Sequence, residues 1–71
     1  MMYCLEYYHN LKLISIPVFS FEHLFDVLKM NSFEFVSVKR IFKVFDKEAF
    51  KLELKYRGVS CFADLRCVYD K

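Results

Sequence analysis

From Phe50 to Arg57 every even position is apolar and every odd one charged: Phe50, Leu52, Leu54 and Tyr56 against Lys51, Glu53, Lys55 and Arg57. A period of two is that of a strand with one buried and one wet face. Drawn as a helix, the run would stack Lys47, Lys51 and Lys55 at i, i+4 spacing, and like charges so placed weaken a helix by roughly a few tenths of a kcal/mol per pair. Beyond Gly58, the only glycine, the alternation resumes, with Val59, Cys61, Ala63, Leu65, Cys67 and Tyr69 on one face and Ser60, Asp64 and Arg66 on the other. Glycine takes φ > 0 without steric cost, so the two runs predict an antiparallel hairpin reversing at Gly58. Phe62 and Val68 fall on the polar side of the second run, so that face is not uniformly solvent-facing.

A different period governs the segment from 21 to 28. Phe21, Leu24, Phe25 and Leu28 stand at i, i+3, i+4 and i+7, the stripe of an amphipathic helix, with Glu22, Asp26 and Lys29 facing away. Ser20 is the natural N-cap, Phe19 and Leu24 hold the positions of a hydrophobic staple, and Asn31 suits the exit. Before the helix, Met2 to Tyr8 and Leu11 to Ile16 read as two strands separated by a turn at His9-Asn10, with Pro17 ending the second. After it, Phe33 and Phe35 share one face while Val36 and Val38 take the other, which predicts a bulge near Phe35-Val36. Asp46-Lys47-Glu48 is the turn expected before the last hairpin. The order is β-β-α-β-β-β: one small α+β domain over residues 1–71, an antiparallel β-sheet of about five strands with one amphipathic helix packed on one face.

Composition adds a mismatch between supply and cover. Apolar residues are 56% of the chain, with nine Phe and five Tyr among 71 residues, whereas ordinary domains hold about 45–50%. A chain this short buries only about 60% of the surface its unfolded form exposes. One helix cannot hide fourteen aromatic rings. The sheet face away from the helix, with Phe62, Val68 and Phe42, is therefore the expected partner-binding surface, and the last strand is expected to offer a pairing edge. The occupant is expected to be another protein, such as a host enzyme or complex, or a second copy in a homodimer.

Net charge is +2, but it is unevenly spread: residues 1–38 sum to −2, residues 39–57 to +4 and residues 58–71 to zero. The basic stretch contains Lys39, Arg40, Lys43, Lys51, Lys55 and Arg57 with aromatic residues between them, the ingredients of an RNA or single-stranded DNA surface. It lacks the glycines and aromatic spacing of an RNP1 motif, and Glu53 sits among the lysines. A charged, solvated strand explains the same residues, so nucleic acid is the alternative reading.

Signatures of chemistry are not found. His9 and His23 are the only histidines, and no Cys or His pair has metal-site spacing, so neither a metal nor a cofactor is expected. A single glycine excludes a glycine-rich phosphate loop, and no nucleophile motif occurs, so the expectation is a non-enzymatic protein. Three cysteines do not form a disulfide framework; Cys61 and Cys67 are about 20 Å apart along one strand, and reduced thiols packed as small hydrophobes are expected. The longest uncharged stretch, Leu13 to Phe21, is far short of the ~20 residues of a membrane span. Together with the absence of a signal-like amino end, this predicts a cytoplasmic protein without membrane contact. Small size and a bias to Phe, Tyr and Lys suit the accessory proteins of phages and other mobile elements, which often inhibit or modulate a host enzyme or defence complex by occluding its surface.

Overall fold

The computed structural model describes residues 2–69, and side chains as far as residue 67. The elements are β1 (Met2–His9), β2 (Lys12–Val18), α1 (Phe21–Met30), β3 (Phe33–Val44), β4 (Lys47–Tyr56) and β5 (Val59–Tyr69). All five strands form one antiparallel sheet in the order β2-β1-β5-β4-β3. Since β2 and β3 are its two outer strands, α1 carries the chain from one edge to the other across one face. The small α+β fold is as the alternation predicts.

Three two-residue turns close the hairpins. Asn10-Leu11, Phe45-Asp46 and Arg57-Gly58 all have positive φ at both residues, the type I′ signature whose twist matches that of the flanking strands. The first turn therefore lies one residue later than His9-Asn10, and the second occupies Phe45-Asp46 rather than Asp46 to Glu48. Leu11 and Phe45 are poor residues for this conformation, which is why neither was legible as a turn. Pro17 does not end β2 but stands inside it, paired with Cys4; β2 is an outer strand, so the missing N–H faces outwards and breaks no ladder bond.

β3 contains the bulge expected after Phe35 and a second one, the ladder skipping Val36 and then Lys39. Two bulges in one outer strand return Phe35, Val38 and Ile41 to a single face, opposite Leu54, Leu52 and Phe50. β5 is the central strand, flanked by β1 and β4, and does not offer the outer pairing edge expected of it. The outer strands are blunted instead, by Pro17 in β2 and by the irregular backbone spacing of the bulges in β3.

Ser20 caps α1, its Oγ accepting the N–H of His23 at 3.0 Å. Phe19, before the cap, stacks on His23, ring centroids 5.2 Å apart, and donates its N–H to His23 Nδ1 at 3.1 Å. Ser20→Ala should lower stability by about 1 kcal/mol, read as a lower urea midpoint at unchanged slope. The helix buries Leu24, Val27 and Leu28 against Leu5, Leu52, Leu54, Ala63 and Leu65 of the three central strands. Its buried stripe is thus rotated from the predicted one. Val27 joins the core, and Phe21 and Phe25 move to the margin, both about half exposed.

Candidate functional site

Two faces of the sheet could meet a partner. On the face away from α1, side chains that point outwards are tied to one another across the strands. Arg66 Nη1 donates to Glu6 Oε1 at 3.1 Å, Lys51 Nζ lies 3.3 Å from Asp64 Oδ1, and Glu53 receives Lys39 at 3.6 Å and the hydroxyl of Ser60 at 3.0 Å. Each pair bridges neighbouring strands, so this face is a charged mesh rather than an uncovered apolar layer. Cys4 is buried within it, beside the Ser15 hydroxyl.

The residues predicted to bind a partner do not make one patch here. Phe62 is 53% exposed and sits opposite Glu53, while Phe42 is half-buried under the Arg40 guanidinium, 5.1 Å from the ring centroid. The side chain of Val68 lies outside the described residues. Of the six basic residues of the alternative reading, Lys39, Arg40, Lys51 and Lys55 are on this face, with Arg40 directly opposite Lys51. Lys39 and Lys51 are held by Glu53 and Asp64, Lys43 is on the helix side opposite Glu48, Lys55 is opposite Glu34, and Arg57 lies over Tyr56 in the last turn.

A row of exposed apolar residues is on the helix side. α1 covers the middle of the sheet, whereas β3 leaves Phe35, Val38 and Ile41 open, the last two at 48% and 60% exposure. Aromatic contacts join this row to the helix margin: Phe25 meets Phe35 edge-on at 5.6 Å, and Phe21 meets Phe50 at 6.4 Å. The result is a partly exposed apolar margin in which Phe21 and Phe25 of the helix adjoin the β3 row of Phe35, Val38 and Ile41. Sequence alternation placed Val38 on the opposite face; the first bulge, at Val36, returns it to the face of Phe35, and a second phase change, at Lys39, does the same for Ile41. A signal for it exists: Val38 and Ile41 are three apart, an odd step that only another bulge reconciles with a shared face.

The chemistry of the remaining polar groups is quiet. Burial pushes the Cys61 thiol up from its ordinary value, the opposite of what an activated nucleophile needs. Tyr7 is also raised, first by burial and then by the neighbouring Tyr56 phenol, so it stays a protonated donor at neutral pH. Cys4, Cys61 and Cys67 form no disulfide. Among the described residues no group of three His, Cys, Asp or Glu side chains is arranged to hold a metal ion, and no helix is long and apolar enough to cross a membrane. Compared with protein-family models, curated proteins and solved structures, the chain matches none.

Proposed function

We propose that the chain is a non-enzymatic protein-binding module of the cytoplasm, and that it acts by covering a surface of a larger protein, as an inhibitor of an enzyme or defence complex does. The observation that carries this reading is the exposed apolar row of β3 beside α1, Phe35, Val38 and Ile41 with Phe21 and Phe25. The row from Phe35 to Ile41 runs roughly 15–20 Å at strand rise, about three turns of a partner helix. Such a helix would set i, i+3 or i+4, and i+7 side chains against the Phe, Val and Ile row, the usual way an amphipathic helix enters an apolar groove.

The test compares two charge substitutions at exposed sites. Ile41→Glu and Phe62→Glu should both fold, since neither side chain is in the core. Affinity capture with the wild type should return a protein that Phe62→Glu also retains and that Ile41→Glu loses by roughly tenfold or more, the scale of a binding hot spot. If Phe62→Glu were the variant that lost it, docking would belong to the charged face. Binding to single-stranded oligonucleotide at ~50 mM salt, abolished by Lys55→Ala with Arg57→Ala and untouched by Ile41→Glu, would replace the reading with the nucleic-acid one.

A further inference from the structure

The sheet is forked at one end. β1 and β5 are paired from Met2 and Tyr69 to Glu6 and Asp64 and no further, although β1 continues to His9 and β5 begins at Val59. Which backbone groups this leaves over follows from ladder alternation. Pro17 has no N–H, so Cys4 and Pro17 are a non-hydrogen-bonded pair of the β1–β2 ladder; the N–H and C=O groups of Cys4, Glu6 and Tyr8 therefore point towards β5. The two-residue turn closing on His9 and Lys12 fixes the same parity.

The other side of the fork obeys the same rule. The Arg57-Gly58 turn closes on the pair Tyr56 and Val59, so the backbone groups of Ser60, Phe62, Asp64 and Arg66 point away from β4 and towards β1. Arg66 and Asp64 meet Cys4 and Glu6. Tyr8 and Phe62, which would be the next pair in this register, and Ser60 have backbone groups aimed into the gap and are not paired by the β1–β5 ladder.

The gap is also a cavity, of about 430 Å³. Its lining includes Tyr7, Phe33, Tyr56 and Cys61 from the helix side and Tyr8 and Phe62 from the other face, so it passes through the plane of the sheet. Phe33 meets Tyr7 edge-on at 4.9 Å and Tyr56 at 5.5 Å, which gives the helix side an aromatic floor.

We propose that this fork is a peptide-binding site that takes an extended segment of another protein as an added strand, hydrogen-bonded to the free backbone groups of Ser60 and Phe62. Unpaired strand edges select an extended backbone over a compact ligand. The free edge of β5, residues 59–63, sets the length at about five residues, and alternation sets one bulky apolar side chain on the Tyr7, Phe33 and Tyr56 floor. Met2 and Tyr69 lie at the far end of the β1–β5 ladder, away from the fork. A second copy is a poor donor, since its outer strands carry Pro17 and the two bulges. The fork is separate from the exposed β3 row beside α1 and does not depend on it.

The probe is a peptide chosen from a displayed library of random octapeptides by selection on the wild-type protein, then synthesised and followed by amide hydrogen exchange. In the free protein the amides of Tyr8, Ser60 and Phe62 should exchange fast while those of Leu54 and Ala63 are protected; the peptide should slow the first set by about tenfold or more. Ser60→Pro removes a donor that β4 does not use, and should weaken the peptide by about tenfold or more, whereas Ile41→Glu should leave it unchanged. Four outcomes overturn the proposal: protection of Tyr8 and Phe62 in the free protein, selection that yields no binder, a bound peptide that protects none of the three amides, or loss of binding with Ile41→Glu rather than Ser60→Pro. Should Ser60→Pro fail to fold, exchange in the wild type still decides.

Discussion

Leu65→Ala is expected to remove half or more of the stability of this domain. Leu65 lies at the centre of the central strand, 1% exposed, with Leu5 beside it on one neighbour and Phe50 on the other. Truncating a buried leucine costs about 2–5 kcal/mol, because the lost transfer energy is joined by the cavity left behind. A chain of 71 residues has roughly 4–10 kcal/mol in total. The urea midpoint should fall accordingly, and a fraction of the variant should be unfolded without denaturant at 37 °C. Phe62→Ala, three positions away on the other face, should shift the midpoint little, because its ring is half exposed over a polar mesh. Equal effects from the two substitutions would mean that the faces of β5 are assigned wrongly.

The second large effect is a gain. Leu11 has φ 65° and is 98% exposed; Phe45 has φ 51° and is 90% exposed. A side chain in the left-handed region costs about 1–2 kcal/mol, least for Asn, Asp and Gly. Neither residue has packing that offsets this. Leu11→Gly should therefore stabilise the fold by about 1 kcal/mol by creating an Asn-Gly turn, and Phe45→Asn with Asp46→Gly by a similar amount. For a domain of this size each kcal/mol raises Tm by about 4–8 °C. Since the turns are far apart, the gains should add in the combined variant. A combined variant that melted no higher than the wild type would show that these exposed residues are held by contacts in solution.

That two exposed hydrophobic residues occupy strained turn positions explains where sequence reading failed. Local rules found the hairpin at Gly58, the cap at Ser20 and the first bulge, because each is written in residues suited to its backbone. They missed Asn10-Leu11 and Phe45-Asp46 by one residue, because Leu and Phe give no turn signal. The face assigned to Val38 went astray for another reason. Strand periodicity assigns faces only within an unbroken ladder; the first bulge in β3 reverses the face of Val38 and the second that of Ile41. The order of strands in the sheet was not readable at all, since it depends on pairings between residues as distant as Met2 and Tyr69, and nothing local encodes them.

The central place of β5 bears on how the chain reaches this structure during synthesis. The β1–β2 and β3–β4 hairpins leave the ribosome complete, each with its own tight turn, yet isolated two-stranded ribbons are at best marginally stable in water. The strand that lies between them is made last of the five. Until it emerges, the apolar faces of both ribbons and of α1 wait uncovered, and the decisive contacts then span almost the whole sequence. Folding dominated by such distant contacts is slow, on the order of milliseconds to seconds. A nascent chain halted anywhere before Val59 would present those sticky intermediates to chaperones and proteases.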